Sequence, residues 1–314
     1  MTTKQSFLNK HPLNTAKHRD DIPRMAETDM KKLKRRLERL YATYDHAFLS
    51  SDPIEFVHRF KAKRDREVVG LIASSLAYGR VDTIKRSIQR VLEIMEWKPY
   101  VFTVNFDPAK DGRLFSGFKH RFNDGRDISC LIYFARQMIE GYGSIGAFFK
   151  KGYKPAHGNI KEALISFSER TLALDTAGLY GTERLPERAG VRFFFPSPAA
   201  KSPCKRLNLY LRWMVRSADS LDFGLWKGIE PSRLVIPLDT HIARISGYIG
   251  LTGRTTPDWK MAEEITENLK RLDPSDPVKY DFALSRLGIL EECRRKRDAA
   301  RCRSCLIKDI CIIA

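Results

Sequence analysis

Residues 293–311 read CRRKRDAARCRSCLIKDIC, and the spacing of the four cysteines is the most informative feature of the chain. Cys293, Cys302, Cys305 and Cys311 are separated by eight, two and five residues. Thiolates so arranged can wrap a compact loop around one centre, and four soft sulfur ligands suit an iron–sulfur cluster or zinc. Zinc sites usually pair two short Cys-x2-4-Cys knuckles. Only one short knuckle occurs here, flanked by longer gaps, which favours a 4Fe-4S cluster over zinc; four unliganded thiols are the remaining alternative. Cys130 and Cys204 stand apart and read as ordinary buried thiols.

The first gap is strongly basic, with Arg294, Arg295, Lys296 and Arg297 inside it and Arg301 and Arg303 beside Cys302. Charge is skewed in the same sense along the whole chain. In 314 residues, 56 Lys and Arg stand against 38 Asp and Glu, a formal net charge of +18. Such a protein is drawn to polyanions, nucleic acid before anionic membrane, the bland alternative being a merely soluble basic protein. The 43% hydrophobic and 30% charged content is that of an ordinary globular domain. No apolar run is long enough to span a bilayer, so no membrane role is expected. Residues 1–30 are polar, carry no apolar stretch that would serve as a signal peptide, and read as a poorly ordered tail. A cytoplasmic, nucleoid-associated protein is therefore expected, in a reducing compartment where clustered cysteines signal a metal.

Outward from the cysteines, the apolar residues keep a helical period almost everywhere. Leu33, Leu37 and Leu40 share one face of a helix over 30–41; Val68, Val69, Ile72, Ala73 and Leu76 do so over 65–76, before a break at Gly79. Val81, Ile84, Ile88, Val91 or Leu92, and Met95 mark the cleanest helix. Periodicity is lost over 97–126, which reads as a long ordered excursion, and returns over 127–140 and 160–172 before a Gly- and Pro-containing linker. Ser202-Pro203, Thr256-Pro257 and Asp276-Pro277 each look like an N-cap followed by proline at the first helical position. Two-residue alternation is nearly absent, so no sheet is expected. The expected architecture is all-α, with a helical domain over 31–290 and a cysteine loop over 291–314.

Two helix starts carry candidate chemistry. Ile236-Pro-Leu-Asp239-Thr-His241-Ile-Ala-Arg244-Ile245 places Asp239 at the N-cap of a helix whose inner face holds Ile242, Ile245 and Ile249. A cap alone explains an Asp there, and the dipole's positive end favours its charge. His241 and Arg244 lie three apart on one face. The stretch from Ser202 to Arg216 reads as a helix with Leu207, Leu211, Met214 and Val215 inward and Lys205, Asn208, Arg212 and Arg216 along a polar stripe. Lys205 falls in the first turn, where a cation is disfavoured, and an uncharged amine is what a Schiff-base nucleophile needs. Lys201 is its competitor.

Two of these stretches carry a family resemblance. Arg301-Cys-Arg-Ser-Cys-Leu-Ile-Lys-Asp-Ile-Cys311 resembles the closing run of the helix-hairpin-helix DNA glycosylases of the endonuclease III type, with a first cysteine gap two residues longer. Leu238-Asp-Thr-His-Ile242 is similar to that family's Val-Asp-Thr-His-Val motif. The resemblance implies a two-lobed all-α fold with a DNA groove between an N-terminal helical lobe and a lobe made of both chain ends, and a 4Fe-4S cluster on the four cysteines. It also implies a monomer binding damaged double-stranded DNA in base excision repair, with Asp239 as the catalytic carboxylate and Lys205 as the optional lyase nucleophile. Phosphate or base contacts would come from Tyr78, Arg80, Lys201, Arg212, His241, Arg244, Arg294, Arg295 and Arg297. Tyr78 or Arg80 would fill the gap left by a flipped base. Lys205 precedes Asp239 by 34 positions (239 − 205), a spacing resembling a divergent archaeal oxoguanine branch. The family's Leu-Pro-Gly-Val-Gly hairpin is replaced by Phe195-Pro-Ser-Pro-Ala-Ala-Lys-Ser202, which has neither glycine. A non-catalytic binding module of the same fold and an iron–sulfur redox or sensing protein are the alternatives.

Overall fold

The computed structural model describes residues 27–294 and 297–313. Its secondary structure is helical apart from one very short hairpin. From the N-terminal side run α1 (Glu27–Thr43), α2 (Ile54–His58), α3 (Lys63–Ser75), α4 (Val81–Ile94), α5 (Pro99–Asn105) and α6 (Pro108–Asp111). Strands β1 (Lys119–His120) and β2 (Asn123–Asp124) follow, then α7 (Gly125–Tyr142), α8 (Ile145–Lys150), α9 (Lys161–Leu172) and α10 (Ala177–Tyr180). The remaining helices are α11 (Lys205–Val215), α12 (Thr240–Tyr248), α13 (Trp259–Lys270), α14 (Asp281–Ile289) and α15 (Ala299–Ser304).

The apolar stripes read from the sequence do face inward. Leu33, Leu37 and Leu40 of α1 are fully buried, as are Ile88, Val91 and Leu92 of α4. One continuous core joins them to α3, α7, α11, α12, α13 and α14. Helix α11 packs on α3, α12 packs on α14, and α1 lies on α14 and on the short turn Lys308–Ile310 near the C-terminal end. The N-terminal and C-terminal parts are thus brought together, with Arg36 paired to Asp309 and the Tyr44 hydroxyl bonded to Glu292 at 2.6 Å.

Several sequence expectations are corrected. Helix α1 starts at Glu27, so the last residues assigned to the polar tail are helical; residues 1–26 lie outside the described set. Within 97–126, α5 and α6 form, each with proline in its first turn, and the hairpin forms without any alternating pattern. None of the three proline caps opens its helix where expected. Helix α11 begins at Lys205 behind Cys204, α13 is capped by Asp258, whose side chain accepts from the Met261 amide, and α14 follows Tyr280. In each case the proline sits in the approach to the helix.

The polar stripe of α11 is not a wet face. Asn208, Arg212 and Arg216 are all about 1% exposed, so they lie inside the protein with the apolar residues. Arg212 donates to Asp222 at 3.3 Å and to Asp281; Arg216 donates to Asp276 at 2.9 Å, to Asp219 at 2.9 Å and to Asp222. Asp222 bridges both guanidinium groups. Buried charges persist only when so compensated, and removing one member of such a set leaves the rest stranded in a low dielectric. Asp222→Asn is expected to lower the unfolding free energy by about 3 kcal/mol or more, read as a shift of the urea midpoint. A midpoint within error of wild type would mean that these pairs do not hold α11 in place.

Candidate active-site cleft

The two helix starts singled out in the sequence meet in one place. A cleft of about 990 Å³ is lined by Asp239, His241 and Arg244 at and after the start of α12, by Lys205, Leu209 and Arg212 from α11, by Ala77, Tyr78, Gly79 and Arg80 between α3 and α4, and by Val81, Asp82 and Ile84 of α4. Its remaining wall comes from Ser51–Pro53, from Asp281, Ser285, Arg286 and Gly288 of α14, and from Glu291, Cys293 and Arg294. The four cysteines line a second, smaller cavity together with Arg294, Arg297, Arg301 and Lys308. Cys293 and Arg294 belong to both, so the cysteine loop forms part of the cleft wall.

Local sequence explains how Asp239 arrives there. Leu234-Val-Ile-Pro-Leu238 is a buried extended approach, fixed by the Ile236 amide donating to Thr266 at 3.0 Å. The chain then turns into α12, and Asp239 Oδ1 accepts from the backbone amides of His241 and Ile242, both at 2.8 Å. The N-cap expectation holds. Ile242, Ile245 and Ile249 anchor the helix from inside.

Lys205 opens α11 after two non-glycine residues in left-handed conformation, Lys201 (φ 61°) and Cys204 (φ 49°). These conformations, which glycine adopts more readily, take the chain through the turn into α11. The Lys205 ammonium donates to the Ala77 carbonyl at 2.8 Å, which directs it to the loop after α3. Lys201 is exposed and is not among the residues lining the cleft, whereas Lys205 is.

The other candidates divide clearly. Arg80 is exposed at the cleft. Tyr78 also lines it, but its hydroxyl donates to Asn123 Oδ1 at 2.5 Å with the His120 carbonyl 3.0 Å away, and its ring packs on His120, Phe122 and Phe193. A side chain tied at both ends is a wall, not an inserting wedge. Arg212 lies at the cleft floor with its guanidinium committed to Asp222 and Asp281, so the expectation that it contacts phosphate is withdrawn. Arg244 donates to the Cys293 carbonyl at 2.8 Å, to the Arg294 carbonyl at 2.6 Å and to Cys293 Sγ at 3.5 Å, binding α12 to the cysteine loop. Arg294 and Arg297 are exposed; Arg295 lies outside the described residues.

Sequence reasoning missed the acidic floor. Asp281 is buried beside Arg212, and Asp52 accepts from Arg286 at 2.9 Å. Burial pushes the Asp281 carboxyl up to about 6, against the attraction of Arg212 and helped by the negative charge of Asp239. The only signal was an Asp and an Arg in a strongly apolar stretch, Asp281-Phe-Ala-Leu-Ser-Arg286, where uncompensated charge would be prohibitive.

The cysteine loop is fastened at several points besides Arg244. The Cys293 amide donates to the Leu287 carbonyl at 2.7 Å, and the Ile312 amide donates to Tyr248 at the end of α12 at 2.9 Å. Burial raises the thiols of Cys293 and Cys305, and the mutual effect of the other cysteine charges adds to it, which reflects how near the four lie to one another. Among the described residues, no three His, Cys, Asp or Glu side chains converge on a point suited to a single metal ion.

A family model described as a protein of unknown function, DUF2400, matches residues 52–290. The chain belongs to that family. The matched span contains Lys205 and Asp239 and stops before Cys293. Neither the curated proteins nor the solved structures contain a match.

Helix α12 owes its seat to a glycine. A Cβ on Gly288 of α14 would fall 2.1 Å from His241 Nδ1 and 2.5 Å from its Cγ, so the imidazole packs directly on bare backbone. Gly288→Ala is expected to lose about 1–3 kcal/mol of stability through overpacking. Adding His241→Ala should restore most of it, since the obstructing ring is then gone. A double variant as unstable as Gly288→Ala would show that the ring is not what the methyl meets.

Proposed function

We propose that this protein is a DNA glycosylase of the helix-hairpin-helix type, removing a damaged base from duplex DNA, with an associated lyase step. The observation that carries this reading is the convergence of Lys205 and Asp239, 34 positions apart in sequence, on one cleft rimmed by exposed Arg80 and Arg294. The net charge of +18 supplies the long-range attraction to a polyanion.

Departure of a base leaves positive charge on the sugar. The Asp239 carboxylate, held by two backbone amides, stabilises that charge. In the lyase branch the Lys205 ammonium leaves its bond to the Ala77 carbonyl, gives up a proton to solvent, and attacks the anomeric carbon as the neutral amine. A carbon–nitrogen bond forms as the glycosidic bond breaks with its electron pair leaving on the base. The departing base takes a proton from the new nitrogen centre, and the ring oxygen then leaves the anomeric carbon with its electron pair and is protonated by solvent, giving a protonated imine. In the hydrolytic branch water takes the place of the amine.

The chemistry of the cysteine set fits a 4Fe-4S cluster. Four thiols line one cavity, and the single short knuckle flanked by longer gaps suits a polynuclear centre better than the paired knuckles of a zinc site. Cys293, Cys302, Cys305 and Cys311 would hold it, and its contribution is to fix the loop that bears Arg294 and Arg297. Protein purified without oxygen is expected to be brown, with iron and acid-labile sulfide in equal amounts, and Cys302→Ser to lose both. Colourless protein with one equivalent of zinc would overturn this assignment.

The chemical test compares wild type with Asp239→Asn on a panel of duplexes each carrying one damaged base. Asp239→Asn keeps a capping oxygen, so duplex affinity should stay within about two-fold while base release falls by at least about a hundred-fold. Borohydride should trap a protein–DNA adduct with wild type and Lys201→Ala but not with Lys205→Ala. Base release by Asp239→Asn at the wild-type rate would reduce Asp239 to a helix cap. Wild type that binds duplex but releases nothing from any member of the panel would favour a binding module.

A further inference from the structure

The hairpin formed by β1 and β2 stands beside the cleft with an exposed aromatic at its tip. Lys119 pairs with Asp124 and His120 with Asn123, so Arg121 and Phe122 are the turn, with Arg121 in the left-handed region at φ 56°. Two buried side chains pin this turn in place. His120 bonds Ser87 at 2.8 Å and the Tyr78 carbonyl at 3.1 Å; Asn123 donates to Asp127 at 2.8 Å and to the Gly190 carbonyl at 3.0 Å.

Phe122 is nonetheless 56% exposed, and Phe193, edge-on to it with centroids 4.5 Å apart, is 37% exposed. Tyr78, a cleft-lining residue, contacts both rings at 5.3 and 4.9 Å. Beneath Phe193 lies the buried guanidinium of Arg206, 3.6 Å from the ring centroid and bonded to the Phe193 carbonyl. The Arg121 side chain lies along Gly79, another cleft residue, about 3.1 Å from where a Cβ would stand. Phe193 is held from beneath by Arg206 and meets Phe122 edge-on, so the more exposed Phe122 ring is left on a rigid base with a face open to a flat partner.

We propose that Phe122, braced edge-on by Phe193, is a stacking platform for an unpaired nucleobase at the rim of the Lys205–Asp239 cleft, with Arg121 and Arg80 facing the flanking phosphates. The charge of the rim selects a nucleic acid, and continuity with the cleft through Tyr78 and Gly79 places the stacked base next to the reacting one. This inference rests on the nucleic-acid reading of the cleft. Base–aromatic stacking is sequence-tolerant, so the platform discriminates unpaired from paired bases and not one base from another.

The test uses the full chain and DNA with no base to release. The probes are a duplex with 2-aminopurine opposite a single abasic site, the same duplex fully paired, and a single-stranded thymine oligonucleotide. Wild type should quench the 2-aminopurine of the abasic duplex; Phe122→Ala should lose that quenching and bind the abasic duplex roughly ten-fold more weakly or worse. Phe122→Trp should keep wild-type affinity, and its own indole emission should fall on binding. A matching loss on the thymine strand assigns the platform to any unpaired base; a loss confined to the abasic duplex assigns it to the gapped helix. Unchanged affinity in Phe122→Ala with unchanged emission in Phe122→Trp overturns the platform. Concentration-dependent dimerisation abolished by Phe122→Ala also overturns it, in favour of a second copy of this chain. Because no base is cleaved, failure of the glycosylase reading shows separately as absent base release with stacking intact.

Discussion

The buried ion pair between Arg212 and Asp281 sets where everything else in the cleft stands. Helix α11 begins at Lys205 and carries Arg212 two turns further on, while Asp281 opens α14. Near the other end of α14, Gly288 gives its bare backbone to His241, which lies two residues beyond Asp239. The position of the lysine relative to the carboxylate therefore passes through two close contacts, one ionic and one steric. Neither tolerates a gradual adjustment: a desolvated guanidinium needs its acids, and a methyl on Gly288 has no room. That rigidity is what a reaction needing an amine and a carboxylate at fixed places would demand.

The cysteine loop enters the same assembly through Arg244. Its guanidinium donates to two carbonyls and a sulfur of the loop while its backbone belongs to the helix capped by Asp239. Whatever orders residues 293–311 thus also steadies α12. Arg294, the loop cation that lines the cleft, is held at the same place, because its carbonyl accepts from Arg244.

Much of this was legible in the sequence, for physical reasons that differ by element. The cap at Asp239 was readable because a short-range rule, an acceptor oxygen ahead of an apolar-periodic run, needs no knowledge of the rest of the fold. The inward face of α1 was readable because its lysines and arginines lie away from the buried leucines, and those of α3 and α4 because the few polar residues they bury, Glu67, Ser74, Ser75 and Ser87, do not break the apolar period. Helix α11 was not. Arg212 and Arg216 at helical spacing are indistinguishable from a wet stripe until Asp222, Asp276 and Asp281 are known to lie opposite, and those acids are contributed by two other segments. The hairpin at 119–124 was invisible for another reason. Two-residue strands carry no alternation, and its left-handed turn residue is an arginine where glycine or asparagine would have marked it. The turn before Lys205 conceals itself in the same way, with Lys201 and Cys204 taking the left-handed conformations that glycines announce elsewhere.

The seating of α1 has a consequence for how the chain is made. Its three fully buried leucines find their cover on α14 and the turn at Lys308–Ile310, and Tyr44 reaches Glu292, 248 positions away. On the ribosome this helix emerges long before any of those surfaces exists. For most of synthesis Leu33, Leu37 and Leu40 form an apolar stripe without its lid, on a helix whose other faces are crowded with lysine and arginine. Like charges around an uncovered stripe oppose its association with a second copy, and the native cover becomes available only once α14 and Lys308–Ile310 have been made.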